Sequence, residues 1–140
     1  MGEEELQKLY LEFQIIEQQI RQLENQSAAI NSQLIELMAT HQGLEDIKKT
    51  KEGSKILVPL SSGIYAKAEL KDNKNLIVNV GSNVASVKDV DSTKKLIEDQ
   101  IDEINKLQED LMKQLQHYTA KASVLEQEIN NIVSSIKDNK

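Results

Sequence analysis

Residues 6–44 read LQKLYLEFQIIEQQIRQLENQSAAINSQLIELMATHQGL. Leu6, Leu9, Phe13, Ile16, Ile20, Leu23, Ser27, Ile30, Leu34, Leu37, His41 and Leu44 recur in an unbroken alternation of three and four positions. That spacing averages about 3.5 residues, the period at which two helices keep one seam in contact by winding around each other. A second run repeats it: Ile97, Ile101, Ile104, Gln108, Leu111, Leu115, Tyr118, Ala122, Leu125, Ile129, Ile132 and Ile136. The expected fold class is mainly α with a small β insert, built on a two-helix coiled coil. Such a chain has a seam but no globular interior, so its function is expected at surfaces, tips and partners.

Composition agrees. Aromatic residues are 3% of the 140, with one phenylalanine, one proline and no tryptophan. No apolar run approaches the roughly 18 residues that span a bilayer. The start, Met-Gly-Glu-Glu-Glu, lacks the basic and apolar regions of a signal peptide, and Leu6 stands where myristoylation requires Ser or Thr. With no cysteine there is no disulfide, thiolate metal site or thiol redox chemistry. A cytoplasmic protein is expected. The net charge of −6 sits in the flanks, while residues 51–90 carry six basic and four acidic side chains. Acidic arms oppose binding to nucleic acid or anionic membrane.

The chain reads as one domain in three segments: helix 1–50, strands 51–90 and helix 91–140. Glu3, Glu4 and Glu5 suit the positive start of a helix dipole, and Lys48 and Lys49 its end. Gly43 costs up to about 1 kcal/mol relative to alanine and marks either a bend or a tolerated position. Within the insert, strands are expected at 56–60, 64–70, 76–80 and 84–90. Turns fall at Ser61-Ser62-Gly63, Lys71–Asn75 and Gly81-Ser82-Asn83, and Asp91 or Ser92 caps the second helix. Pro59 places its strand at an edge or a bulge.

Arms of similar length joined by a short insert are expected to pair as an antiparallel hairpin, residue i facing about 142 minus i. Phe13 then lies near Ile129, Leu37 near Ile104, and both chain ends meet at the far tip. Ser27 and Gln108 interrupt the seam, with Leu107 placed to take over the packing of Gln108. Four short strands without a covering layer are marginal in water and leave open edges. They are expected to join strands of other chains through Val58, Leu60, Ile64, Ala66, Ala68, Leu70, Ile77 and Val80.

The runs Leu57–Leu60, Gly63–Leu70 and Val78–Ala85 resemble the linker of prefoldin alpha-type subunits, and the flanking helices match in order and length. Two hairpins rather than one favour the alpha class. The turn Ser61-Ser62-Gly63 is less glycine-rich than is usual in that family. The resemblance implies a hexamer of two alpha-type and four beta-type subunits around a central double β-barrel. It implies an ATP-independent co-chaperone, or holdase, that takes non-native proteins at its coiled-coil tips and passes them to a group II chaperonin.

The tip residues are Leu6, Leu9, Tyr10, Phe13, Ile15 and Ile16 on one arm, and Ile129, Ile132, Val133 and Ile136 on the other. Most follow the seam, where ordinary packing accounts for them. Tyr10, Ile15 and Val133 fall outside it and are the better candidates for exposed grip. Fraying of helix ends would expose the rest. His41 is expected buried and neutral in the seam, about 24 Å along the arm from His117, which excludes a metal shared by the two. Asp89 and Asp91 read as capping and solvation rather than a cation site. Gly81-Ser82-Asn83 lacks the Lys-Ser/Thr of a phosphate loop, and Asn25-Gln26-Ser27, a formal glycosylation sequon, lies in a helix. No nucleophile–base pair or nucleotide cradle is visible, so no enzyme activity and no cofactor are expected. The competing reading is a structural spacer or filament-forming tether.

Overall fold

A computed structural model describes residues 2–138. In chain order it contains α1 (Gly2–Lys49), β1 (Lys55–Ser61), β2 (Ile64–Glu69), β3 (Asn75–Asn79), β4 (Ala85–Asp89) and α2 (Val90–Asp138). These are the two long helices and two small hairpins read from the sequence. By its contacts the chain divides into two compact units. One joins Met1–Gln33 to Ile104–Lys140, and the other is Leu34–Glu103.

In the first unit Leu23, Leu125 and Ile129 are buried, while Ile16, Ile20, Ile30, Leu111, Leu115 and Ile132 are half-buried. This is how a two-stranded seam looks: each layer is covered on one side by its partner and remains open at the flanks. A Cβ on Gly2 would stand 3.6 Å from Ile136 Cδ1, so the start of α1 abuts the end of α2.

In the second unit the buried residues are Leu44 near the end of α1 and Val90 and Thr93 at the start of α2. Thr93 Oγ1 donates to the Asp89 carbonyl (2.9 Å), which satisfies its buried hydroxyl. Asn73 Nδ2 donates to the Thr50 carbonyl (3.0 Å), and the Val90 amide donates to the Lys74 carbonyl (2.8 Å). These two bonds tie the loop between the hairpins to both helix ends.

The strands form two separate antiparallel ribbons, β1–β2 and β3–β4. The first turns through Ser62 (φ 51°) and Gly63 (φ 79°). Positive φ at both central residues is the signature of the turn whose twist matches a two-residue hairpin, and Gly63 adopts it without steric cost. Register slips between Pro59 and Ser61, leaving Leu60 without a cross-strand partner. Proline has no amide to give the ladder, and the irregularity sits beside it, as the sequence led us to expect.

Helix α2 starts at Val90 rather than Asp91 or later. The cap is Asp89, whose Oδ2 accepts from the Ser92 amide at 3.2 Å, three residues on. The arms also pair out of the expected register, by three residues in the second unit and by seven at Ser27 in the first. In the second unit Lys48 reaches Asp91 (2.8 Å) rather than residue 94, Lys94 pairs with Glu45, and His41 meets Glu98 (2.9 Å) rather than Ile101. In the first, Ser27 reaches Gln108.

Hydrogen bonding from the Ser92 hydroxyl and amide holds the Asp89 carboxyl below the usual carboxylate range, and the Lys74 and Asn75 amides do the same for Asp72. A depressed carboxylate favours the folded state above its unfolded pKa. That contribution fades as the pH falls through the folded value. The expected result is a melting temperature that is flat near neutrality and declines below about pH 4.5. Asp89→Ala should lower the neutral-pH melting temperature by several degrees and flatten the acid decline, as read by circular dichroism.

Gly43 lies within the continuous α1, and a Cβ built there meets nothing within 4 Å. It is tolerated and marks no break in the helix. Gly43→Ala is expected to stabilise the chain by about 0.5–1 kcal/mol in chemical denaturation.

Candidate interaction surfaces

Alternation along the strands gives each ribbon two faces. In β1–β2, Val58 pairs with Ala66 and Ile56 with Ala68 on one face; Pro59 pairs with Tyr65 and Leu57 with Lys67 on the other. Ile56, Ala66 and Ala68 are half-buried, whereas Leu57 (63% exposed) and Tyr65 are open. In β3–β4, Leu76 and Val78 are half-buried opposite Lys88 and Ser86, while the cross-strand pair Ile77 and Val87 stands 80% and 70% exposed. Val58, Leu60, Ile64 and Val80 are also exposed, and Leu70 is half-buried.

The structure therefore divides the strand residues expected to mediate assembly. Val58, Leu60, Ile64, Ile77 and Val80 are open, whereas Ala66, Ala68 and Leu70 are partly covered within the chain. Ile77 and Val80, three apart, lie on opposite faces. Leu57, Tyr65, Val84 and Val87 are open apolar residues that the sequence reading did not single out. Exposed Leu, Ile, Val and Tyr on two isolated ribbons make a surface that water does not stabilise.

In the first unit Leu6, Leu9, Phe13, Ile16, Ile132 and Ile136 are half-buried seam residues, and Ile129 is buried. Tyr10 (48%) and Ile15 (53%) are exposed outside the seam, as expected. Val133 is half-buried, because it flanks the seam closely. Leu11 (60%) and Val124 (57%) are open and were not anticipated. Leu107 is also exposed, so it does not replace Gln108 in the packing. Gln108 instead donates to Ser27 Oγ across the seam at 2.9 Å, leaving its own buried Oε1 without a protein partner. A half-satisfied polar layer contributes register more than stability.

His41 is half-buried and paired with Glu98, not enclosed. That hydrogen bond, with the nearby Lys94 and Lys95, holds the Glu98 carboxyl below its usual range. Among the described residues no cluster of three His, Cys, Asp or Glu side chains could hold a metal, and no helix is long and apolar enough to cross a membrane.

A family model for the prefoldin subunit matches residues 16–135 of this architecture. The chain belongs to the prefoldin family. The prefoldin subunit alpha of Methanococcus vannielii is 26% identical over 134 residues, covering 96% of this chain and 90% of the relative. That of Pyrococcus horikoshii is 32% identical over 100 residues, covering 71% and 68%. Among solved structures, the cryo-EM structure of filamentous PFD from Methanocaldococcus jannaschii superposes with a TM-score of 0.71 at 23% identity, over 82% of this chain and 95% of that one. That likeness is one of fold. The matched region takes in all four strands and most of both helices, so the ribbon surface lies within it, whereas Tyr10, Leu11 and Ile15 of α1 precede it.

Proposed function

We propose that this chain is the alpha-type subunit of a hexameric co-chaperone containing two alpha-type and four beta-type subunits, acting in the cytoplasm. Its ribbons complete a barrel with those of its neighbours. The coiled-coil unit, carrying Tyr10, Leu11 and Ile15, holds apolar segments of non-native proteins for delivery to a group II chaperonin. The observation that carries this reading is the pair of open apolar ribbon faces, which need other chains to cover them. Burial at about 25 cal/mol per Å2 of apolar area drives both assembly and capture, and neither step calls for nucleotide.

The test is an aggregation assay with a denatured model protein and the purified complex, without ATP. Suppression is expected. It should weaken when Tyr10, Leu11 and Ile15 are changed together to Ser, with the mass of the complex unchanged. Equal suppression by that variant would remove these three residues from the mechanism.

A second reading, a filament-forming tether, draws support from the filamentous PFD structure that shares the fold. It requires open-ended growth of the chain by itself, visible by negative-stain microscopy. The co-chaperone reading requires a particle of finite mass.

A further inference from the structure

All the asparagines and serines of α1 fall within eight residues, as Asn25, Ser27, Asn31 and Ser32. Their short polar side chains hydrogen-bond nearby backbone in non-helical conformations, which lowers helix propensity. A helix of 48 residues is therefore weakest, by its own sequence, near its centre. The facing helix brings no compensation. Gln108 is the polar interruption of the α2 seam, and it reaches Ser27 Oγ at 2.9 Å.

Packing is thin at the same level. Within the unit formed by Met1–Gln33 and Ile104–Lys140, the buried side chains are Leu23, Leu125 and Ile129. From Ser27 to Gln33 and from Ile104 to Val124 none is buried, and Ile30 and Leu111 are only half-buried. Two grooves share Gln108 and Met112 as lining. One, of ≈ 420 Å³, also runs past Ala28 and Asn31, and the other, of ≈ 530 Å³, past Asn105.

The closed layer also carries a penalty that opening removes. Gln108 Oε1 is buried and has no hydrogen-bond partner among the described residues. An acceptor left unpaired in this way has lost its hydration without replacement, and parting of the helices restores it. Opening here gives up one neutral hydrogen bond and the half-buried contacts of Ile30 and Leu111. Opening at Leu125 or Ile129 gives up fully buried side chains, which is the larger loss.

We infer that residues 25–32 of α1 and 105–112 of α2 form an opening point built into the middle of the arm, a polar joint that loosens while the layers at Leu125 and Ile129 stay packed. Coiled coils otherwise loosen from their ends, where backbone groups lack partners. The joint lets this arm yield at its centre without unzipping from the chain ends. The inference stands apart from the holdase reading, because it concerns the chain's own coil and not what the coil binds.

The test is amide hydrogen exchange of the full-length chain, read by mass spectrometry on peptic fragments and corrected for intrinsic rates. Fraying from the chain ends alone would make residues 122–129, which lie nearer the end of α2, exchange faster than residues 105–112. The joint requires the reverse, with 105–112 faster by at least tenfold. Ser27→Ile/Gln108→Leu completes the apolar seam and should slow exchange of 105–112 at least tenfold. Asn25→Ala/Asn31→Ala/Ser32→Ala changes three exposed residues, leaves the seam untouched and should slow exchange of 25–32 at least fivefold. Residues 122–129 should keep their rate in both variants. Three results would each overturn the inference: wild-type exchange of 105–112 as slow as that of 122–129, an unchanged rate in either folded variant, or equal slowing of 122–129. The wild-type comparison needs no substitution, so it decides the matter whether or not a variant folds.

Discussion

Ile77→Asp is expected to abolish assembly with a beta-type subunit while leaving the helical signal intact. Ile77 and Val87 face each other across β3–β4 at 80% and 70% exposure. If neighbouring protomers cover this pair, the substitution removes about 2–3 kcal/mol of apolar burial. It also places a carboxylate in a dry interface, at a further several kcal/mol. The concentration needed for half-assembly should rise more than a thousandfold in analytical ultracentrifugation. Val87→Asp should behave alike. Helix content should stay near that of the wild type, because neither residue belongs to a helix. Assembly of the Ile77 variant at wild-type concentrations would show that the ribbon face is not where the protomers meet.

The second large effect lies in the coil. Leu23→Ala truncates one of the few buried side chains of the unit that pairs Met1–Gln33 with Ile104–Lys140. Leucine-to-alanine changes in buried sites cost about 2–5 kcal/mol, and the partial openness of a two-stranded seam points to the lower half of that range. The melting temperature should fall by roughly 10 °C. The assembled mass should persist below the transition, since the ribbons belong to the other unit. This variant and the Ile77 variant therefore give opposite patterns: one loses stability and keeps its partners, and the other does the reverse.

Much of this architecture is legible in the residues themselves. The 3–4 alternation from Leu6 to Leu44 and from Ile97 to Ile136 specifies both helices, because the core-facing stripe of a helix has a fixed period. Pro59 and the Ser62-Gly63 turn locate the bulge and the reversal of the first hairpin, because proline lacks the amide a ladder needs and glycine accepts positive φ. The pairing of the arms was less accessible. A seam pattern repeats every seven residues and so fits several registers; the pairs formed are His41 with Glu98 and Lys48 with Asp91, three residues from the expected ones, and Ser27 with Gln108, seven away. Alternation also shows that each ribbon has two apolar faces without showing which is covered. The choice between Ala66 and Tyr65, or between Val78 and Ile77, depends on packing from distant segments. Leu11 was missed because it lies on the side of α1 away from the seam, where a seam pattern carries no information.

On the proposed function, the two ribbons are incomplete until other chains cover them. Native mass spectrometry of the full-length chain, alone and with a beta-type subunit, tests it most directly, with amide exchange measured over β1–β4 in both states. A mixed complex of six subunits is expected, with strand amides that become protected only on its formation. A stable, fully protected monomer that ignores the beta-type subunit would contradict it.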